Sequence, residues 1–298
     1  MSEPFFGRTI TALVTPFSED GSLDLEALGR LVDRQLAAGV DAFVVGASTG
    51  EAATLSHDER LALFSAVHDQ AAGAAKTIAY VGSNNTAASV EFAREVAGTG
   101  CADGFLVVVP YYNKPPQEGL YRHFKAVAGA SDVPVMLYNI PARSVVNMQA
   151  ETTLRLAREC GSVVAIKEAS GKMDQIQAII DGAPDGFFVY SGEDSDTVEV
   201  VERGGAGVVS TTSNVAPARM AEIVAAAASG DFPRARELEA ALMPLMEGLF
   251  MTSNPIMVKD ALARVGCPVG DPRLPLVPAT AEQGARLASI LEECGQLA

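Results

Sequence analysis

The stretch Val163-Val164-Ala165-Ile166-Lys167-Glu168-Ala169-Ser170-Gly171 decides how the rest of this chain is read. Four apolar residues in a row mark a buried β-strand, and the lone cation closes it. A lysine at the end of a strand ordinarily snorkels its head out to water. Held back from water, the ammonium loses hydration, the neutral amine gains ground, and a neutral amine attacks carbonyl carbon. Strand side chains alternate between two faces. With Lys167 on the inner face, Ile166 and Glu168 turn outwards. Glu168 then reads as a structural carboxylate at the sheet–helix boundary and not as the base that serves Lys167.

Working outwards, the same kind of run recurs at Thr9–Val14, Ala42–Gly46, Thr77–Gly82, Gly104–Pro110, Pro134–Ile140, Gly186–Ser191 and Gly207–Thr211. Amphipathic stretches separate them: Asp24–Ala38, His57–Ala72, Thr86–Gly98, Gln117–Gly129, Gln149–Cys160, Met173–Ile180 and Asp196–Arg203. Strands alternating with helices imply right-handed crossovers and a parallel sheet. Eight units within about 225 residues match the count and size of a TIM barrel. The fold class expected is α/β, a TIM (β/α)8 barrel with a C-terminal helical appendage; a doubly wound open sheet is the alternative. Only helical patterns follow the eighth strand, at Ala218–Ala228, Pro233–Gly248, Pro255–Val265 and Ala279–Cys294. Residues 1–225 are therefore assigned to the barrel and its active site. Residues 226–298 are assigned to a helical domain used for packing or oligomer contacts.

The composition excludes several classes of function. The 298 residues are 48% hydrophobic, ample for a large core, and the formal charge of −15 disfavours nucleic acid or anionic lipid as a partner. No basic segment followed by an apolar stretch opens the chain, and no apolar run approaches the roughly 20 residues that span a bilayer. Cys101, Cys160, Cys267 and Cys294 are widely spaced, with no CxxC pair and no histidine at ligand spacing. They read as reduced thiols of a cytoplasmic protein, with no metal site.

In a barrel, chemistry gathers at the C-terminal ends of the strands. There the chain places Gly46-Ala47-Ser48-Thr49-Gly50-Glu51, suited by its accessible amides to a small carboxylate. Pro110-Tyr111-Tyr112-Asn113-Lys114-Pro115 follows the fourth strand, and its paired tyrosines alone would be a packed rim. Tyr138-Asn139-Ile140-Pro141-Ala142-Arg143 follows the fifth, with a phenol fit for proton relay and a guanidinium fit for a carboxylate. The seventh ends in Ser191-Gly192-Glu193-Asp194 and the eighth in Ser210-Thr211-Thr212-Ser213-Asn214. The three histidines (His57, His68, His123) lie in helical stretches, His57 behind a Ser56 cap, so no Ser-His-Asp triad is available. A P-loop and a GxGxxG are both absent, and nucleotide chemistry lacks support.

Taken in order, Gly46–Glu51, Tyr111–Pro115, Tyr138–Arg143, Ile166–Gly171 and Gly207–Asn214 resemble the dihydrodipicolinate synthase/N-acetylneuraminate lyase family of Schiff-base aldolases. Asn254-Pro255 and Arg273-Leu274-Pro275 extend the resemblance into the tail. Tyr112-Asn113-Lys114-Pro115 and Arg143 are similar to the synthase branch. Ala47 and Ser48 depart from it, where Gly and a Thr-Thr pair are commoner. The resemblance implies condensation of pyruvate with L-aspartate 4-semialdehyde to 4-hydroxy-tetrahydrodipicolinate, in lysine and diaminopimelate biosynthesis. It implies Lys167 as imine-forming nucleophile, Tyr138 as acid/base, and a proton relay through Ser48 and Tyr112, the latter from a neighbouring subunit. Thr49 and Ser48 amides would bind pyruvate, Arg143 the aldehyde's carboxylate, and Gly192 and the Val209 carbonyl would line the pocket. No cofactor or metal is implied, and a homotetramer is.

Two rivals stand beside this reading. One is a related aldolase or dehydratase acting on a sugar-derived 2-keto acid, and the other a catalytically silent barrel that only binds. The resemblance also locates a lysine-feedback cleft at Ala52, His57, Arg60, Asn84, Ala88 and Tyr111. Lysine-sensitive members carry Glu at the Ala88 position or His at the Arg60 position, so weak or absent feedback is expected here.

Overall fold

The computed structural model describes residues 3–297. Eight strands carry the sheet: β1 (Thr9–Ala12), β2 (Ala42–Val45), β3 (Lys76–Tyr80), β4 (Gly104–Val108), β5 (Val135–Asn139), β6 (Val163–Glu168), β7 (Phe188–Ser191) and β8 (Gly207–Ser210). Each pairs in parallel with the next, and β8 returns to β1, with Ile10 opposite Val209, so the barrel is closed. Closure removes the doubly wound alternative, which would leave two edges. Most strands are a residue or two shorter than the apolar runs suggest. Leu13 and Val14, for example, stay buried beyond the end of β1, so hydrophobicity alone overruns the strand ends.

Between the strands lie α1 (Leu25–Ala37), α2 (His57–Ala71), α3 (Thr86–Thr99), α4 (Gln117–Ala128), α5 (Pro141–Ser144), α6 (Ala150–Glu159), α7 (Met173–Gly182) and α8 (Thr197–Glu202), and after them α9 (Pro217–Ala228). Their starts are chemically encoded. Asp24 caps α1 through the Ala27 amide, Asn85 caps α3 through the Ala88 amide, and Ser56 with Glu59 forms a reciprocal capping box on α2. The short α5 is an element that the sequence pattern did not suggest. Pro141 opens it, and it turns the chain sharply after β5.

Strand alternation produces two cores. Ile10, Val44, Ile78, Leu106, Met136, Ala165 and Tyr190 fill the barrel axis, whereas Phe43, Phe105, Leu137, Ile166 and Val189 pack against the helices. The tail helices α10 (Phe232–Gly248), α11 (Ile256–Arg264) and α12 (Ala281–Glu293) add Leu242, Leu245, Met257, Leu262 and Leu287 to that outer core. The expected boundary at 225/226 falls inside α9, a single helix from Pro217 to Ala228. That helix belongs to the barrel ring, and the apolar contacts continue across it into the tail.

Candidate active site

Lys167 and Tyr138 occupy paired positions on β6 and β5. Ala165 and Ala169 flank Lys167 on the axial face, and Ile166 lies in the outer core, so the alternation puts the amine on the barrel axis. Lys167 is 5% exposed, and its Nζ lies 4.7 Å from the centre of the Tyr138 ring. Burial lowers the amine from its ordinary value to about 8, against the opposing pull of Glu193 and Asp194. Burial likewise raises the Tyr138 phenol well above its ordinary value. The charge of the Arg143 guanidinium and the Ser48 hydroxyl act against that rise. A proton-holding phenol thus faces an amine that gives up its proton near neutrality.

Glu168 points the other way, as strand alternation requires. Its carboxylate accepts from Asn139 Nδ2 at 2.9 Å, Gln175 Nε2 at 3.2 Å and the Ser170 amide at 2.9 Å. This ties β5, β6 and α7 together behind the amine. Gly192 follows β7 and donates its amide to the Glu168 carbonyl at 2.7 Å. A Cβ there would meet Ala169 Cβ at 2.5 Å, so the close seating of β7 on β6 requires glycine. Asp194 is buried, and its Oδ2 accepts from the Thr211 amide, the Thr212 amide and the Thr212 hydroxyl. That carboxylate locks the start of the β8 loop, just beyond the fully buried Val209.

Above this floor opens a cavity of about 400 Å³, lined by Ser48, Glu51, Tyr80, Tyr111, Ile140, Arg143 and Asn254 among others. Lys167 and Tyr138 are not in its walls, and both are buried, whereas Ser48 lines it. Arg143, carried outwards by α5, has no ion-pair partner among the described residues. Neither the Ser48 nor the Thr49 amide donates to a protein acceptor among the described residues. A guanidinium in the cavity wall, with two amides of the Ser48–Thr49 loop that meet no protein acceptor among the described residues, suits substrates bearing carboxylates.

Tyr112 is the candidate that the chain does not bring to its own cavity. It is 88% exposed and adopts φ 73 in the left-handed region. Asn84 Nδ2 donates to the Tyr111 carbonyl and Asn113 Nδ2 to the Asn84 carbonyl, which fixes the turn with the Tyr112 ring outwards. Two residues at the site escaped the sequence reading as functional candidates. Asn254 donates from Nδ2 to Thr49 Oγ1 at 2.9 Å, and Lys259 makes a buried ion pair with Glu51. A lysine ending the apolar run Ile256-Met257-Val258-Lys259 was the available signal for the second.

Comparison with known proteins follows the same line. The model of the dihydrodipicolinate synthetase family matches residues 5–294. A protein of Symbiobacterium thermophilum named 4-hydroxy-tetrahydrodipicolinate synthase is 49% identical over 294 residues, covering 99% of this chain and all of its own. One of Halalkalibacterium halodurans, named 4-hydroxy-tetrahydrodipicolinate synthase 1, is 52% identical over 281 residues, covering 94% and 95%. Among solved structures, the synthase of Cyanidioschyzon merolae with lysine bound superposes with a TM-score of 0.96 at 41% identity, covering 99% of this chain and 100% of that one. With the match running from one end of the barrel through the tail, this chain belongs to the dihydrodipicolinate synthetase family.

Proposed function

We propose that the protein is a 4-hydroxy-tetrahydrodipicolinate synthase, a lyase condensing pyruvate with L-aspartate 4-semialdehyde on the way to diaminopimelate and lysine. The observation that carries this reading is the Lys167 amine, buried on the barrel axis against Tyr138 with its pKa lowered to about 8. The unpaired Arg143 at the cavity wall adds the anchor for a second carboxylate.

The chemistry follows from those groups. Neutral Lys167 adds to the ketone carbon of pyruvate, and loss of water leaves a protonated imine. That cationic nitrogen draws electrons from the adjacent methyl group, which surrenders a proton and becomes an enamine. The enamine carbon bonds to the aldehyde carbon of the semialdehyde, whose oxygen takes a proton. Attack of the substrate's own amine on the imine carbon closes the ring and releases Lys167. Tyr138 moves these protons, Ser48 hands them on, and Tyr112 of a second subunit completes the relay. Ser48 and Thr49 amides hold the pyruvate carboxylate, Arg143 that of the aldehyde, and Gly192 and Val209 bound the pocket. The imine nitrogen is the electron sink, so the scheme calls for no metal and no organic cofactor.

An exposed tyrosine held rigidly outwards supports assembly into a symmetric oligomer, for which we infer a dimer of dimers. Four free cysteines, and helices none of which among the described residues is long and apolar enough to cross a membrane, support a cytoplasmic place. The test is turnover with pyruvate plus aspartate semialdehyde, set against pyruvate plus N-acetylmannosamine. Preference for the second pair, or none for either, refutes the assignment.

A further inference from the structure

The loop that bears Ser48 and Thr49 is held by the C-terminal helices. Glu51 Oε1 lies 2.7 Å from Lys259 Nζ on α11, the two side chains being 1% and 2% exposed. Glu51 Oε2 accepts from the Arg273 amide at 2.9 Å. Lys259 also donates to the Asp271 carbonyl at 3.2 Å and sits 4.2 Å from the centre of the Phe17 ring. The Arg273 guanidinium donates to the Thr54 carbonyl, the Gly21 carbonyl and Glu59, closing the outer side of the same loop. On its inner side, Asn254 donates to the Thr49 hydroxyl.

These arrangements are expensive. Desolvating two charges offsets much of their mutual attraction, so a buried pair adds little to stability over an apolar one. Glu51 has φ 57, a left-handed conformation that a side chain with Cβ adopts at some cost and that persists only when its surroundings enforce it. Its partners enforce it on both carboxylate oxygens. The turn so fixed sits directly after the two unpaired amides. The Thr49 oxygen already accepts from Asn254, which leaves its own hydrogen to be donated. Asn254 is itself 7% exposed, lines the cavity, and keeps a buried Oδ1 without a partner.

We propose that Lys259, Glu51 and Asn254 are positioning residues through which the C-terminal helices set the Ser48–Thr49 loop to bind the 2-oxo acid carboxylate. This rests on the reading of that loop as the pyruvate site given above. Through these three residues the tail thereby acts on the first substrate.

The experiment traps the pyruvate imine with borohydride across a range of pyruvate concentrations and reads adduct mass. The double variant Lys259→Met with Glu51→Gln removes the pair without stranding a lone buried charge. Asn254→Ser removes the donor to Thr49 without touching the pair. Leu242→Ala in α10 is the comparison, a variant destabilised in the tail but remote from the loop. Expected is a rise of about tenfold in half-saturating pyruvate for the double variant and for Asn254→Ser. The limiting adduct and the KM for aspartate semialdehyde stay within about twofold, and Leu242→Ala leaves pyruvate binding unchanged. Unchanged half-saturation in Asn254→Ser, or an equal rise in Leu242→Ala, overturns the proposal even if the double variant does not fold. Wild-type protein that traps no pyruvate refutes the site reading itself, and this proposal with it.

Discussion

Lys167 and Tyr138 stand opposite each other across the β5–β6 ladder, with the amine 4.7 Å from the centre of the phenol ring. An aromatic face attracts an ammonium and would favour the charged form by about 1–2 kcal/mol. Burial works the other way and wins, bringing the amine down to about 8. At pH 7 roughly one amine in ten is then neutral, against about one in three thousand for an ordinary lysine.

Imine formation should therefore rise with pH and level off above about 8, well below the ordinary lysine range. Borohydride trapping with pyruvate should add its mass to a peptide containing Lys167, and Lys167→Ala should show none. An adduct on Lys114, or a rate still climbing at pH 10, contradicts the assignment.

The same shift has a cost in stability, and its sign is fixed. The folded amine has the lower pKa, so the unfolded chain binds more protons between about 8 and 10.5, and stability rises with pH across that window. Below pH 8 the full penalty, about 3 kcal/mol, is present. Lys167→Met should be inactive yet more stable than the parent at neutral pH in denaturant unfolding, with the gap closing as pH approaches 10.5. A variant less stable at pH 7 would show that the lysine is not held against its own hydration.

Arg143 has no ion-pair partner to lose among the described residues, and its charge holds the Tyr138 phenol below where burial alone would put it. Its removal should therefore weaken the hold on the aldehyde's carboxylate and leave a smaller change at the phenol. Arg143→Ala should raise the KM for aspartate semialdehyde and lower turnover, while pyruvate still forms its imine. Steady-state kinetics beside trapping separates the two, and equal loss of both in a folded variant contradicts the role.

Tyr112 points away from its own cavity, which makes complementation decisive. Lys167→Ala and Tyr112→Phe proteins should each be nearly inactive. Unfolded together and refolded, they should regain roughly a quarter of wild-type activity, because half of random pairs are mixed and each offers one complete site. No recovery would mean that Tyr112 serves its own chain or none.

Feedback by L-lysine should be weak. The Arg60 guanidinium lies 4.0 Å over the Phe92 ring and donates to the Tyr80 carbonyl, so its charge is fixed at the expected cleft. Ala88 offers no carboxylate to an incoming ammonium. An unpaired ammonium beside a guanidinium costs about 3 kcal/mol, a hundredfold or more in affinity. Half-inhibition by sub-millimolar lysine at saturating substrate would contradict this.

The barrel was legible because its signal is repetitive: eight apolar runs, each followed by an amphipathic one, leave little room for another topology. Lys167 stood out as a cation ending such a run, and the outward turn of Glu168 followed from strand period alone. The α5 turn was not legible, since four residues carry no periodicity. The division at 225/226 was drawn from where the strand pattern stops, and the single helix α9 runs across it without a break. Contacts between Glu51 and Lys259 join positions over two hundred residues apart, and no local pattern announces such a pairing.

The Lys259–Glu51 pair also sets an order of assembly in time. Lys167 leaves the ribosome some ninety residues before Lys259, a delay of several seconds at ordinary rates of synthesis. During that interval the amine exists without the segment that shapes its cradle. A nascent or truncated chain ending before α11 would carry Lys167 without Lys259, the partner of Glu51. On the proposal that Lys259 and Glu51 position the Ser48–Thr49 loop, the pyruvate site is then finished only when α11 has been made.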